Sequence, residues 1–401
     1  MAIQALERTP KDVAPLCDRQ PAVSVEYNER ENDLAMTPIR KFVILMRRGM
    51  GLKAKDGQQP MPVIEGEQEW QLMMRIAKKQ AVQGIIERGI RLMPEEQRPP
   101  RKINIAAFML SEKIAKFNRK VDATCVKVAA MLDEAGLPCC ILKGQGNAIT
   151  YPDPSARMPG DIDVWVMAPP KQVIAFARKA LPDAFACYHH VEYVKCDGIE
   201  VELHYRPAFL NNPIHNSRLQ RWFLSEAAVQ REHRVELPND AGMVSVPTNA
   251  FNRIFQMAHI MNHVIHEGIG MRQMMDYYFL LRQGFTEEEQ QRDVQLLKQF
   301  GLYDISAAVM FVLEKLFAMP KRLFLVPPDE HRGTFLMNEI LYGGNFGHYH
   351  QQSIQARTPW SKNMLRLKRD WRLLTIFPSE CLWEPIFRWW HFFWRLRHKL
   401  N

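Results

Sequence analysis

The chain has 401 residues, with 53 Lys and Arg against 44 Asp and Glu, long enough for two or three packed units and a sizeable core. Its 21 Phe, 9 Trp and 22 Met argue against a disordered chain, and its net charge of +9 favours a phosphate-bearing ligand, a nucleic acid or an anionic membrane surface without choosing among them. Seven scattered cysteines, with no CxxC and one adjacent pair at Cys139-Cys140, give neither a disulfide framework nor a zinc module and fit a reducing cytoplasm.

In chain order, residues 1–38 carry no basic segment followed by an apolar one and no sustained periodicity, so a flexible N-terminal arm without a secretion signal is expected. From Glu65 to Met93 the residues Trp70, Met73, Ile76, Ala77, Ile85 and Ile86 recur at helical spacing, and Ile103 to Ala135 repeats the pattern, predicting a helical region over 39–136. At Leu137 the texture changes. Pro138-Cys-Cys-Ile-Leu142 ends at Lys143-Gly144 as a buried strand leaving through a tight turn, and Ile162 to Val166 is a second strand. Pro169-Pro170 opens a helix to about Leu181. Tyr188 to Lys195 and Ile199 to Tyr205 then flank Asp197-Gly198, a hairpin signal.

These elements predict an α/β unit over 137–210. Helical spacing returns in Asn216 to Gln230, in Thr248 to His266 with Thr248 as N-cap, in Met271 to Arg282 and in Thr286 to Phe300, so an all-helical domain is expected over 211–360. The remainder, 361–401, is a basic aromatic tail with nine Lys/Arg against three acids from Lys362 onward. Its interleaved rings and arginines suit a membrane surface or single-stranded nucleic acid; rings nearly all round the helix suit docking against the protein, which is the expectation adopted. No apolar run reaches the roughly 18 residues a spanning helix needs.

The sharpest local feature is Arg157-Met-Pro-Gly-Asp161-Ile-Asp163-Val-Trp-Val166. Alternation along the strand puts both aspartates on one face, where two like charges repel and call for a cation. Magnesium prefers such oxygen ligands and takes the rest of its shell from water and substrate phosphates; manganese fits as well. The strand Ile199 to His204 offers Glu200, Glu202 and His204 on one face, and either carboxylate can complete the cluster. Lys143-Gly144-Gln145-Gly146 presents backbone N–H groups and one ammonium to a triphosphate, and Arg157 can add a guanidinium.

The order Leu142-Lys-Gly144, Tyr-Pro and Arg157, Gly160-Asp-Ile-Asp163 and Val201-Glu-Leu-His204 resembles the bacterial uncharacterised nucleotidyltransferase family of the DNA polymerase β-like superfamily. The resemblance implies an α+β fold, a nucleotidyltransferase-fold mixed sheet flanked by N-terminal and C-terminal helical regions. It puts Gly144 on the phosphate-binding turn, with Lys143 and Gln145 beside it, and makes Asp161, Asp163 and Glu202 the catalytic, metal-binding carboxylates. It also implies NMP transfer from an NTP, with ATP the first candidate, to an acceptor of unknown class: a sugar, a small molecule, an RNA or a protein. Trp70 to Met93 and Glu267-Gly-Ile-Gly-Met-Arg272 resemble the family's helical parts; Gln145 departs from the Ser or Gly usual after the turn glycine.

Each motif has a plainer counterpart. Glu202 can pair with Arg206, Arg157 with Asp153 or Asp161, and Lys143 can end in solvent. His259 and His263, at i and i+4, could hold zinc, but the intervening Ile-Met-Asn lacks the HExxH glutamate and hydrogen-bonded helix histidines are expected. Arg272 and Asp276, at i and i+4, read as an intrahelical pair, with acceptor or base recognition the alternative. Two other function classes stay open: a DxD glycosyltransferase using a nucleotide-sugar, and a non-catalytic nucleotide-binding or scaffold protein of the same fold.

Overall fold

The computed structural model describes residues 37–52, 62–343 and 371–399. Apart from Thr37 and Pro38 the expected N-terminal arm lies outside the described residues, as do residues 361–370 of the tail. Four helices come first: α1 (Pro38–Gly49), α2 (Gly66–Lys79), α3 (Gln83–Arg91) and α4 (Arg101–Glu134). The single run of helical spacing over 65–93 is broken at Ala81, whose φ of 53° lies in the left-handed region no helix interior tolerates. At the crossing of α1 and α3 a Cβ on Gly49 would lie 1.8 Å from the Ile85 carbonyl oxygen, so only glycine lets these backbones approach.

The sheet takes β1 (Cys139–Leu142), β2 (Ile162–Val166), β3 (His190–Cys196) and β4 (Ile199–His204) in the order β1-β2-β4-β3. β2 runs antiparallel to β1 and parallel to β4, and β3 closes an antiparallel hairpin on β4, so the sheet is mixed as expected. One face, with Ile141, Val164, Val166, Val201 and Leu203, packs on Val121, Cys125, Val128 and Leu132 of α4 and on α6 (Pro170–Ala180). The spacing of those four α4 residues, i, i+4, i+7 and i+11, is the stripe an amphipathic helix lays on a sheet. The opposite face carries Cys140, Leu142 and Trp165, which join the larger core of the helical parts.

Between β1 and β2 lies α5 (Gly144–Ala148), and after β4 come α7 (Pro213–Glu232), α8 (Asn249–His266), α9 (Met271–Arg282), α10 (Glu287–Gln299), α11 (Tyr303–Phe317) and α12 (Glu330–Gly343). Thr248 caps α8, accepting from the Phe251 N–H at 3.3 Å. The region is not all-helical: Arg234–Leu237 (β5) and Gly242–Ser245 (β6) form a hairpin whose Leu237 and Val244 pack with the α4 side of the sheet. Asn239 and Asp240, at φ 60° and 54°, make its turn, a conformation these two residues accept more readily than most. The hairpin strands are four residues each, too short for alternation to stand out beside the helices around them.

The last helix, α13 (Pro378–Lys399), docks by one face only. Phe387 stacks on Phe209 with ring centroids 4.9 Å apart, buried Glu380 accepts the Asn211 N–H at 2.6 Å, and His391 Nε2 accepts the Tyr188 N–H at 3.1 Å. The other face leaves Leu382, Ile386, Trp389 and Phe393 in solvent. Docking was thus half of the outcome. No described helix is long and apolar enough to cross a membrane.

Candidate active site

The site lies where the second sheet face meets α8 and α9. Register fixes it: Asp163 stands opposite Glu202 on the neighbouring parallel strand, and Trp165 stands opposite His204, so all four side chains share one face. Asp161, just before β2, reaches solvent at the mouth of a cavity of about 310 Å³. One oxygen from each of Asp161, Asp163 and Glu202 can be chosen so that all three lie within 4.8 Å of one another, close enough to share a cation.

Cationic groups already press on these carboxylates. Lys143 Nζ lies 3.0 Å from Asp163 Oδ2, and His204 Nε2 lies 2.9 Å from Asp163 Oδ1 and 3.2 Å from Glu202 Oε2. Burial alone would raise the Asp163 carboxyl, but Lys143 and His204 outweigh it and hold the group far below the usual carboxylate range. Burial would likewise depress His204; its hydrogen bonds to Asp163 and Glu202 win and push it up to about 9, so it is an imidazolium at neutral pH. Asp161 is left with the repulsion. Chiefly through the charge of Asp163, it is pushed up to about 6.

The turn that brings Lys143 here is strained. Its φ of 47° and ψ of −139° are glycine-like values, a conformation that costs a residue with a Cβ on the order of 1–3 kcal/mol and clusters at functional sites. Gly144 follows at φ 37°. Behind the ammonium, His259 Nε2 is 3.5 Å from Lys143 Nζ and 2.9 Å from His263 Nε2. His259 and His263 are therefore hydrogen-bonded, as expected, and they line the cavity.

Several expected contacts fall differently. Gln145 turns away from the cavity and donates its side-chain amide to Asp122 on α4, so its side chain is spent on the fold. Arg157 meets neither Asp153 nor Asp161: it is buried and forked onto Asp276, Nε to Oδ1 and Nη2 to Oδ2, both at 2.8 Å. Asp276 also accepts from the Tyr151 hydroxyl at 2.6 Å, so its hydrogen bonds come from the Tyr151–Arg157 loop, while Arg272 one turn before it adds its charge. Arg272 donates to the Met158 carbonyl oxygen at 3.5 Å, and its charge reaches Asp161. Glu200 pairs with Lys195 at 2.7 Å on the exposed side of the hairpin, and Arg206 donates to the Tyr188 carbonyl oxygen at 2.6 Å. Neither competes for the cluster. Sequence reasoning passed over His189 and His190, which line the cavity from the start of β3, His190 Nδ1 lying 3.4 Å from Glu202 Oε2. Their only signal was the Tyr-His-His entry to a strand.

Asp163 and Glu202 on adjacent strands of a small mixed sheet, with Asp161 just before the first of them, lie beside a glycine turn and under a helical region. The chain belongs to the family described as uncharacterised nucleotidyltransferase, whose profile matches residues 66–318. Among solved structures it is similar to an antigenic nucleotidyltransferase-like protein from Paracoccidioides brasiliensis, with 15% identity over 48% of this chain and 92% of that one and a TM-score of 0.27. No curated protein matches the chain.

Proposed function

We propose that the protein moves a nucleoside monophosphate from an NTP, ATP being the first candidate, to an acceptor with release of pyrophosphate, using a divalent cation held by Asp161, Asp163 and Glu202. The observation that supports this most is the convergence of those three carboxylates to within 4.8 Å on one side of the cavity. An all-oxygen donor set suits magnesium or manganese; the repulsion that raises Asp161 is what a cation would relieve. When bound, the cation supplies charge neutralisation at the phosphates.

The chain's own groups divide the remaining work. Lys143 and Arg272 bring positive charge to the cavity wall beside the carboxylates, where a triphosphate needs it. The Cβ-free backbone at Gly144 leaves room for a phosphate to approach. Glu202, the partly exposed member of the cluster, is positioned to take the acceptor proton. Arg157 and Asp276 hold the loop that carries Asp161.

The test is pyrophosphate release from each labelled NTP with magnesium or manganese in the presence of cell extract, comparing wild type with Asp161→Ala/Asp163→Ala. Label entering a metabolite or macromolecule in wild type alone supports the transfer and isolates the acceptor. Nucleoside diphosphate released from a nucleotide-sugar would instead support the glycosyltransferase reading. NTP binding without turnover in wild type would favour a non-catalytic protein of this fold.

A further inference from the structure

At the outer edge of the sheet, where β3 begins, the chain makes a tight turn from Ala186 to Val191. Ala186 bridges Val191, and the Cys187 N–H donates to the His190 carbonyl oxygen at 2.9 Å. The turn is braced from outside: the Tyr205 hydroxyl donates to the Cys187 carbonyl oxygen, Arg206 donates to the Tyr188 carbonyl oxygen at 2.6 Å, and Asn216 donates to the Tyr188 hydroxyl at 2.8 Å. It gathers a thiol and two imidazoles. Cys187 Sγ lies 3.4 Å from His189 Nδ1, and one donor atom from each of Cys187, His189 and His190 can be chosen so that all lie within 4.8 Å of one another.

From this geometry we propose a second metal site, distinct in chemistry from the carboxylate cluster, in which Cys187, His189 and His190 bind a borderline-soft divalent ion such as zinc. A tetrahedral ion with metal–sulfur bonds of about 2.3 Å and metal–nitrogen bonds of about 2.05 Å has a sulfur–nitrogen edge of roughly 3.5 Å. The observed separation of Cys187 Sγ and His189 Nδ1 is 3.4 Å. One thiolate and two imidazoles select zinc, cobalt or nickel over magnesium, whereas the all-oxygen cluster next to it suits magnesium or manganese. Access exists from both sides, since His189 lines the active-site cavity and also a neighbouring one that Cys187 lines. Binding replaces the thiol proton with the metal and releases that proton to solvent. The fourth position stays open to water, and the ion fixes the turn that sets His190 against Glu202. The spacing Cys-x-His-His matches no zinc module; the fold of the turn makes the site.

The experiment is a cobalt titration of the full chain after chelator treatment, in buffer containing excess magnesium, read by the ultraviolet thiolate-to-cobalt charge-transfer band. The proposal expects the band to grow to one equivalent in wild type and in Asp161→Asn/Asp163→Asn, to vanish in Cys187→Ser, and to need more than about tenfold higher cobalt in His189→Gln. Circular dichroism establishes that each variant is folded, and His189→Gln serves should Cys187→Ser fail to fold. Absence of the band in wild type, or its persistence at full strength in Cys187→Ser, overturns the site. Either result leaves the nucleotidyl-transfer proposal standing, because that rests on the carboxylates.

Discussion

Replacing Asp276 by alanine isolates the interaction that ties the loop before β2 to α9. In the native protein Arg157 and Asp276 are 5% and 6% exposed, the fork between them has two 2.8 Å bonds, and the Tyr151 hydroxyl ends on the same carboxylate. Removing Asp276 leaves a buried guanidinium with no counter-charge, a loss of about 3–5 kcal/mol, and strands the Tyr151 hydroxyl for about 1 kcal/mol more. At roughly 2–4 °C of melting temperature per kcal/mol for units of 150–250 residues, the shift should be on the order of 8–24 °C. Arg157→Met/Asp276→Leu removes both charges and fills the space, so it should recover most of that loss, since a buried pair replaced by apolar groups is often neutral. Calorimetry and urea unfolding followed by tryptophan fluorescence measure both proteins. An Asp276→Ala protein within about 1 kcal/mol of wild type, or a double variant no better than the single, would refute this account of the pair.

Gly84→Ala should destabilise strongly, because its Cβ would sit 2.3 Å from the Ala156 carbonyl oxygen; a thermal melt unchanged from wild type would contradict that close approach. In the metal-free protein, Asp161→Asn should raise the melting temperature, since it removes the like charge that pushes this carboxyl up to about 6, while manganese affinity by isothermal titration should fall; an unchanged affinity would count against Asp161 as a ligand. His391 is depressed from 6.5 to about 4 by burial and by Arg395. It is therefore neutral when folded and accepts from Tyr188, with Glu384, Arg388 and Glu267 around the same cavity. Its contribution is complete above about pH 6.5 and is lost as pH falls toward 4, so melting curves of wild type and His391→Gln should converge across that window. Parallel curves would exclude it. Glu380→Gln should weaken the hold on the Asn211 backbone by about 1–2 kcal/mol, read as earlier urea unfolding.

How much was legible in the sequence depended on range. β2 was readable because five apolar-dominated residues with a carboxylate at the edge allow no helical alternative, and the register that joins Asp163 to Glu202 follows once β4 is placed beside it. The hairpin of β3 and β4 was readable from Asp197-Gly198, both at positive φ. The partner of Arg157 was not, because Asp276 lies 119 residues away and in the sequence its nearest cation is Arg272, one turn before it. The side-chain partner of Gln145 was hidden for the same reason: Asp122 sits on a helix whose polar positions look solvated until α4 is laid against the turn. The β5–β6 hairpin escaped because Asn239-Asp240 lacks glycine and its strands are short.

Two carboxylates that brace the nucleotidyl core come from outside it, and a third holds the chain just after it. Asp122 on α4 holds Gln145, Asp276 on α9 holds Arg157, and Glu380 on α13 holds the chain at Asn211. Residues 137–210 therefore do not make a transplantable module. Excised, or fused into another scaffold, they would lose the carboxylates that answer the Arg157 guanidinium and the Gln145 amide. Evolution faces the same constraint, so positions 157 and 276, and 122 and 145, should change in concert when they change at all, and shuffling of this core between proteins should leave its helical wrapping attached.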